Sequence, residues 1–206
     1  MKVLLINGSP RTNGNTTIAL AEMEKIFNEN SIDVINYQIK ANDIRGCIAC
    51  NTCHTKGSCV FDDDVNKLVS ILHECDGLVV ASPVYYASAN GSLISLLDRV
   101  FYSNNEPLTM KVGASVAVAR RGGASSTFDE LNKYFTISGM PIASSYYWNS
   151  VHGLAKEEAY EDEEGMQTMR NLARNMIFLM KSIELGKEKY GLPKRENTYH
   201  TNFIRK

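Results

Sequence analysis

Residues 2–20 read KVLLINGSPRTNGNTTIAL, and the order of residue types in this segment indicates the architecture of the chain. The segment opens with an apolar run at 2–6, passes through a glycine-rich polar turn, and continues as an amphipathic run at about 15–28. A short, uninterrupted apolar run is typical of a strand buried on both faces. Turn residues ahead of apolar positions at helical spacing mark the start of a helix. The segment therefore predicts a strand, a tight loop and a helix.

The same alternation of short apolar runs and longer amphipathic runs continues along the chain. Further strands are predicted at 33–38, 77–82, 112–119 and about 142–145. Further helices are predicted at about 62–73, 91–101 and 125–138, and a last helix begins near 162 and stops at Gly186. Strands that alternate with helices indicate the α/β class, in which helices cover both faces of a mostly parallel sheet.

The composition favours a single domain. The chain has 206 residues, of which 44% are hydrophobic, and a formal net charge of −1. No linker-like segment interrupts it, so we predict one domain at 1–190, including a cysteine loop at 46–60, and a polar tail at 191–206. The near-neutral charge argues against nucleic acid or a membrane surface as partner and favours a small molecule. No apolar run is long enough for a signal peptide or a membrane span, so we expect a cytoplasmic protein.

The first loop, NGSPRTNGNTT at 7–17, has the character of a phosphate site. It opens directly onto a helix, where free backbone N–H groups and the helix dipole attract an anion. It lacks both the Lys-Ser/Thr ending of a triphosphate loop and the glycine spacing of a dinucleotide site, which favours a monophosphate. The candidate phosphate-binding side chains are Ser9, Arg11, Thr12, Asn15, Thr16 and Thr17. A simple capped turn is the alternative, since Ser, Thr and Asn are common at helix starts.

Two further loops follow the third and fourth predicted strands: the second loop, SPVYYAS at 82–88, and the third loop, ARRGGAS at 119–125. Ligands of open parallel sheets bind beyond the carboxyl ends of the strands, so the three loops should line one crevice. Tyr85 and Tyr86 offer faces for a planar ring, although we expect one of them to serve packing alone. Gly122 and Gly123 allow the backbone to approach that ring. Flavin mononucleotide (FMN) has both a monophosphate and a planar ring.

The cysteine loop contains the run GCIACNTCHTKGSC, with Cys47, Cys50, Cys53 and Cys59. Such a cluster in a reducing compartment indicates a metal site or a catalytic site more than a disulfide framework. Its two opening gaps resemble the iron-sulfur run of bacterial ferredoxins, but the last gap is longer and no proline follows. Zinc, another metal and a metal-free dithiol or disulfide loop remain alternatives. We expect His54 to be a solvated loop residue and the isolated Cys75 to be buried.

Taken together in chain order, the motifs resemble one known family. They are GSPR-x-x-GNTT, the cysteine run, SPVYYAS, SLISLLDR, YYWNSVHG, DEEG and the terminal NFIR. The chain resembles the iron-sulfur flavoprotein branch of the NADPH-dependent FMN reductase, flavodoxin-like family. The resemblance implies a flavodoxin-like, doubly wound, five-stranded parallel sheet of order 2-1-3-4-5, with the cysteine loop after strand 2. It also implies bound FMN, and a homodimer or homotetramer with the flavin close to a subunit interface.

The resemblance also implies roles for individual residues. The FMN phosphate and ribityl chain would be bound by Ser9, Arg11, Asn15, Thr16 and Thr17. The flavin ring would be lined by Pro83, Val84, Tyr85 and Tyr86, with Arg121, Gly122 and Gly123 at its far edge. Cys47, Cys50, Cys53 and Cys59 would hold a [4Fe-4S] cluster that passes electrons to FMN.

The predicted function is that of an FMN-dependent redox protein whose flavin exchanges electrons with the cluster. No catalytic acid or base is assigned, since backbone amides and Arg121 can stabilise the reduced flavin. One alternative is an NAD(P)H-dependent reductase of FMN, a quinone or another small-molecule acceptor, without a cluster. A non-enzymatic carrier that takes electrons from ferredoxin and a thiol sensor using Cys50 and Cys53 are the others. We expect a structural role for His152 and an inter-subunit arm in the tail at 191–206.

Overall fold

A computed structural model of the protein describes residues 1–39, 44–196, 199 and 201. The sheet has five strands: β1 (Lys2–Asn7), β2 (Asp33–Gln38), β3 (Gly77–Pro83), β4 (Val112–Ala119) and β5 (Ser150–His152). All neighbouring strands are parallel, and their order is β2-β1-β3-β4-β5. This confirms the predicted 2-1-3-4-5 sheet, in which the chain reverses direction across the sheet beside β1.

Helices cover both faces of the sheet. They are α1 (Asn15–Glu29), α2 (Thr52–Lys56), α3 (Asp64–Glu74), α4 (Gly91–Ser103), α5 (Ala124–Ile137) and α6 (Glu163–Tyr190), with a 3₁₀ helix at Glu158–Glu161. Successive residues of a strand point to opposite faces. Val3 and Leu5 accordingly join one buried cluster with α1 and α6, whereas Leu4 and Ile6 join another with α3, α4 and α5. The doubly wound arrangement is confirmed.

The last strand is not where the sequence predicted it. Ile142 makes only an isolated bridge to Gly113, and the strand that extends the sheet is β5, which pairs with the end of β4. Between the two lies a segment with three consecutive aromatic side chains, 146–148, each more than half exposed. The chain therefore contacts the start of β4, leaves the sheet, and returns to the end of the same strand.

The last helix is longer than predicted and continues through Gly186 to Tyr190. A glycine inside a helix costs about 1 kcal/mol relative to alanine. Packing of α6 against α1 and the sheet along most of its length outweighs that cost. The helix ends instead at Gly191, whose φ is +73°.

The structure describes only part of the predicted tail at 191–206. Residues 191–196 follow α6 and are exposed, whereas 197–198, 200 and 202–206, including the NFIR motif, lie outside the described residues. The predicted inter-subunit arm therefore stays a prediction. Among the residues that the structure describes, none of the helices is long and apolar enough to span a membrane.

Cys75 is completely buried between α3 and β3, as predicted. Burial raises the pKa of its thiol from 9.0 to about 11. Between these two pH values the unfolded chain loses the proton while the folded protein keeps it, so rising pH favours unfolding. We expect this group to remove up to about 2 kcal/mol of stability across that window.

Urea unfolding of the protein and of Cys75→Ala, on both sides of that pH window, measures this contribution. The variant is expected to lose less stability than the parent as the pH rises, whatever its stability at neutral pH. Equal losses in the two proteins would show that the Cys75 thiol does not contribute.

Candidate functional site

The first loop is shaped by hydrogen bonds among its own residues. Asn7 accepts from the backbone N–H of Ser9 (2.9 Å) and donates to the hydroxyl of Thr17 (3.0 Å). The Thr17 hydroxyl donates to the carbonyl of Thr12 (2.9 Å), and the Ser9 hydroxyl accepts from the backbone N–H of Arg11 (3.2 Å). The loop is therefore preorganised, which lowers the entropy lost when a ligand binds.

Gln38, at the end of β2, anchors the first loop to the sheet. Its side-chain amide donates to the carbonyls of Ser9 and Arg11, both at 2.9 Å. Sequence reasoning missed this residue, although its place at the carboxyl end of a strand beside β1 was a usable signal. The N-cap residue of α1 is Gly14, so within the described residues no side chain caps this helix. Its first turn holds no acidic residue. The N–H of Thr17 donates to the carbonyl of Gly14 (3.0 Å), which leaves the N–H groups of Asn15 and Thr16 at the helix start for an anion.

Asn15 connects the first loop to the segment after β5. Its side chain donates to the carbonyl of Ala155 (2.9 Å) and accepts from the backbone N–H of Ala159 (3.2 Å). Thr16, beside it, is buried, and Arg11 is exposed. The side chains of Asn15 and Thr17 are thus engaged within the protein, and their predicted contacts with FMN stay predictions.

The second loop is a tight turn with strained backbone at its tip. Tyr85 and Ser88 exchange two backbone hydrogen bonds (2.9 and 3.1 Å), and Tyr86 and Ala87 between them have φ of +51° and +60°. Side-chain-bearing residues rarely adopt this conformation, which costs about 1–3 kcal/mol at each position. We expected one tyrosine to serve packing alone. That expectation is wrong, because Tyr86 is fully exposed and Tyr85 is 44% exposed.

Helix α5 holds this turn in place. The Glu130 carboxylate accepts from the Ser88 hydroxyl and from the backbone N–H of Ala89, both at 2.8 Å. The Ser126 hydroxyl donates to the carbonyl of Ala87 (2.6 Å). These contacts support the strained backbone and fix the direction in which the two tyrosines project.

Asn90 joins the first and second loops. Its buried side chain donates to the carbonyl of Gly8 (2.8 Å) and accepts from the backbone N–H of Ser92 (3.0 Å), which caps α4. Its own N–H donates to the Ser82 hydroxyl (2.9 Å). Sequence reasoning missed Asn90 as well, although an asparagine just ahead of a predicted helix is a typical N-cap.

The third loop contacts the second loop at Gly123. Its φ is +92°, and a Cβ there would lie 2.7 Å from the Cα of Ala87 and 2.9 Å from Cγ1 of Val84. A Cβ at Gly122 would meet nothing within 4 Å, and Arg121 is exposed. The three predicted loops therefore meet at one edge of the sheet.

The segment after β5 borders this edge. The backbone N–H groups of Leu154 (2.5 Å) and Ala155 (2.8 Å) donate to the Glu158 carboxylate. These two bonds, and secondarily the charge of Arg120, lower the pKa of Glu158. His152 lies 3.5 Å from the Asp162 carboxylate, which also accepts from the backbone N–H of His152 (2.6 Å).

All four cysteines of the cysteine loop line one pocket. The pocket is also lined by Ile48, Asn51, Val60, Phe61, Arg99, Tyr102 and Ser103. Cys47 and Cys50 are exposed, Cys59 is half-buried, and Cys53 is buried on the short helix α2, which the sequence had not predicted. In the described part of the chain, no three His, Cys, Asp or Glu side chains are close enough to bind a single metal ion.

Several sulfurs in this pocket accept hydrogen bonds. The Cys47 sulfur accepts from the backbone N–H of Ala49 (3.4 Å), and the Cys59 sulfur accepts from the Arg99 guanidinium (3.2 and 3.3 Å). Hydrogen bonds from the side chain and backbone of Thr52 lower the pKa of Cys50. Such bonds stabilise negative charge on sulfur, and the thiolate is the form that binds metals. The donor set therefore fits a thiolate-bound inorganic centre.

Comparison with known proteins identifies the family. A family model described as NADPH-dependent FMN reductase matches residues 1–155. The chain belongs to the NADPH-dependent FMN reductase family. Residues 1–155 include the three converging loops and the cysteine loop.

Two proteins named iron-sulfur flavoprotein resemble this FMN reductase family member over nearly its whole length. One, from Methanocaldococcus jannaschii, is 32% identical over 197 residues, which cover 89% of this chain and 100% of that protein. Another, from Methanosarcina thermophila, is 28% identical over 193 residues, which cover 92% of this chain and 100% of that protein. The similarity is therefore not confined to one motif.

Solved structures confirm the flavodoxin-like fold of this FMN reductase family member. RosB, with bound 8-demethyl-8-formylriboflavin-5′-phosphate, superposes with a TM-score of 0.73 at 14% identity, covering 100% of this chain and 94% of that one. A flavodoxin from the domain Archaea superposes with a TM-score of 0.56 at 14% identity, covering 86% and 99%. At such identities the likeness concerns the fold alone.

Family membership makes this protein an oxidoreductase with a flavin redox role, and supports FMN as its cofactor. The three loops that meet at one edge of the sheet lie at the carboxyl ends of β1, β3 and β4.

Proposed function

We propose that the protein is an FMN-dependent oxidoreductase whose flavin exchanges electrons with a [4Fe-4S] cluster held by Cys47, Cys50, Cys53 and Cys59. One observation carries the proposal: a single pocket collects all four cysteines, and its wall is α4, whose opposite end contacts the first loop. The names of the two archaeal relatives support it.

The proposed FMN site uses the three converging loops. The phosphate would bind at the open first turn of α1, with Ser9, Thr16 and Arg11 nearby. FMN supplies reversible transfer of one or two electrons. The flavin ring would lie against Tyr85 and Tyr86, which the second loop presents to solvent. Backbone amides and Arg121 of the third loop would stabilise the charge of the reduced ring, so no side chain needs to move a proton.

The remaining predicted FMN contacts fit the same placement. They are Asn15 and Thr17 at the start of α1, Pro83 and Val84 at the start of the second loop, and Gly122 and Gly123 in the third loop. A Cβ at Gly123 would lie 2.9 Å from Cγ1 of Val84, so the second and third loops are adjacent there. A ring bound there would contact both loops at once.

The cluster assignment is supported by the chemistry of the donors. Thiolates are the usual ligands of iron-sulfur clusters, and clusters are tuned by hydrogen bonds to sulfur. Among residues 1–39 and 44–196 no three His, Cys, Asp or Glu side chains are close enough to bind a single metal ion, so the cluster assignment depends on the four thiols that line one pocket.

The proposal extends to partners. Large side chains are exposed on the segments before and after β5, at Tyr146, Tyr147, Trp148, Leu154 and Tyr160. Exposed apolar patches of this kind mark interfaces. We propose a homodimer or homotetramer that covers this patch, with NAD(P)H or a ferredoxin as electron donor and a small molecule as acceptor.

One experiment separates the proposal from a cluster-free NAD(P)H-dependent reductase, which the family description favours. The protein is purified and reconstituted without oxygen, its FMN, iron and acid-labile sulfide are measured, and its absorbance is followed after mixing with NADPH or with reduced ferredoxin. FMN with stoichiometric iron and sulfide is the expected result. A protein that binds FMN but no iron would contradict the proposed cluster. A protein that does not bind FMN would contradict the proposed flavin role.

A further inference from the structure

Arg99, on α4, directs its whole guanidinium at the cysteine loop and its flanks. Only 1% of its surface is exposed. Nε and Nη2 donate to the Cys59 sulfur (3.3 and 3.2 Å), Nη1 and Nη2 donate to the two carboxylate oxygens of Asp63 (2.6 and 2.9 Å), and Nη1 also donates to the carbonyl of Arg45 (3.3 Å). These five bonds use all five N–H donors of an arginine.

The partners of Arg99 lie on both sides of the cysteines. Arg45 precedes Cys47, and Asp63 follows Cys59. One guanidinium therefore ties together the two ends of segment 45–63. Closing a loop in this way removes conformational freedom that the segment would otherwise lose when it binds a metal centre.

An ordinary buried ion pair would not explain this arrangement. Asp63 already has a local role, because its carboxylate caps α3 through the backbone N–H of Val65 (3.2 Å). A helix cap needs no arginine, and an ion pair needs no donors to sulfur. The ring of Phe61 also lies 4.8 Å from the guanidinium carbon, so the planar group is held in a fixed orientation.

Lysine could not reproduce these contacts. It offers a compact charge with three donors, whereas the planar guanidinium reaches a carboxylate, a sulfur and a carbonyl in one plane. The requirement is therefore for this side chain and not for positive charge alone.

We propose that Arg99 is the positioning residue of the cysteine centre: it closes segment 45–63 before any metal is bound and places positive charge against the Cys59 sulfur. Arg99 acts through Cys59 and touches no substrate. The closure of segment 45–63, which is the first half of the proposal, concerns the metal-free protein. The effect of the charge on the Cys59 sulfur, which is the second half, rests on the proposed iron-sulfur centre.

The first test uses the folded, metal-free protein. Alkylation of each cysteine by iodoacetamide is timed by mass spectrometry in the parent and in Arg99→Lys. The matched control is Arg174→Lys, an exposed arginine of α6 whose nearest partner is Asn171 at 3.4 Å. We expect Cys59 to react about tenfold faster in Arg99→Lys, because lysine keeps the positive charge but cannot close segment 45–63, so the half-buried sulfur is exposed more often. The control should match the parent.

Equal rates for Cys59 in the parent and in folded Arg99→Lys would overturn the inference, whatever the iron content. If Arg99→Lys does not fold, the double variant Arg99→Gln with Asp63→Asn replaces the buried charges by amides that can pair, and the same measurement applies. A parent that binds no iron would defeat the proposed cluster but would leave the alkylation result intact.

The second test uses protein reconstituted with iron and sulfide. The midpoint potential of the cluster is measured in the parent and in Arg99→Gln at equal iron content. A positive charge beside a ligand sulfur favours the reduced state, so the variant should have a more negative potential. A purely structural role would leave the potential unchanged, and that outcome would overturn the second half of the proposal.

Discussion

Replacing Gly8 with alanine is expected to lower the free energy of unfolding by about 2–4 kcal/mol and to weaken FMN binding at least about tenfold. A Cβ at this position would lie 2.5 Å from Cδ2 of Leu93 and 2.8 Å from the carbonyl oxygen of Ala81. The carbonyl belongs to β3 and cannot rotate away, and it also accepts the Gly8 N–H (2.7 Å). The first loop must therefore move. This movement would strain the hydrogen bond from the Asn90 side chain to the carbonyl of Gly8.

The matched control is Gly91→Ala. A Cβ at Gly91 meets nothing within 4 Å, and this exposed residue begins α4. Its stability should match the parent or exceed it by about 0.5 kcal/mol. Urea unfolding and quenching of flavin fluorescence measure the two effects. A Gly8→Ala protein with parental stability and parental FMN affinity would show that the first loop tolerates displacement.

Replacing Gly123 with alanine should have an effect of similar size by a different route. The backbone there has φ of +92°, which costs alanine about 1–2 kcal/mol. The added Cβ would also press on Ala87 and Val84 of the second loop. We expect a total loss of about 2–4 kcal/mol of stability, together with weaker FMN binding, because the strained tip of the second loop loses its support.

Gly122→Ala is the folding control, since its Cβ would enter open space. Its free energy of unfolding should stay within about 0.5 kcal/mol of the parent. The FMN affinity of Gly122→Ala separately tests whether the third loop faces the flavin ring. If Gly123→Ala binds FMN as tightly as the parent does, the contact between the second and third loops is not part of the flavin site.

Features encoded by neighbouring residues could be predicted from the sequence. The apolar run of β1, the polar loop and the start of α1 are adjacent in the chain, and the structure has all three where they were expected. The burial of Cys75 followed from the apolar strand beside it. The convergence of three loops followed from a general property of parallel sheets, which needs only the strand order.

Features that depend on distant partners could not be predicted in the same way. Asn90 and Gly8 are 82 residues apart, and Arg99 and Cys59 are 40 residues apart. The position of β5 depended on which half of β4 remained available for pairing. Local pattern placed Arg99 in the predicted helix at 91–101 and left Asn90 outside it, and the partners of both residues are set by how α4 packs in the folded chain.

Helix α4 meets the flavin loops at one end, through Asn90, and the cysteine loop near the other end, through Arg99. The two residues are separated by about 14 Å along the axis, at 1.5 Å per residue. Inserting or deleting one residue between them would turn Arg99 about 100° around the helix and away from Cys59. Related sequences can therefore vary the exposed residues between Asn90 and Arg99. A change in the number of residues there would break the contact of α4 with either the first loop or the cysteine loop.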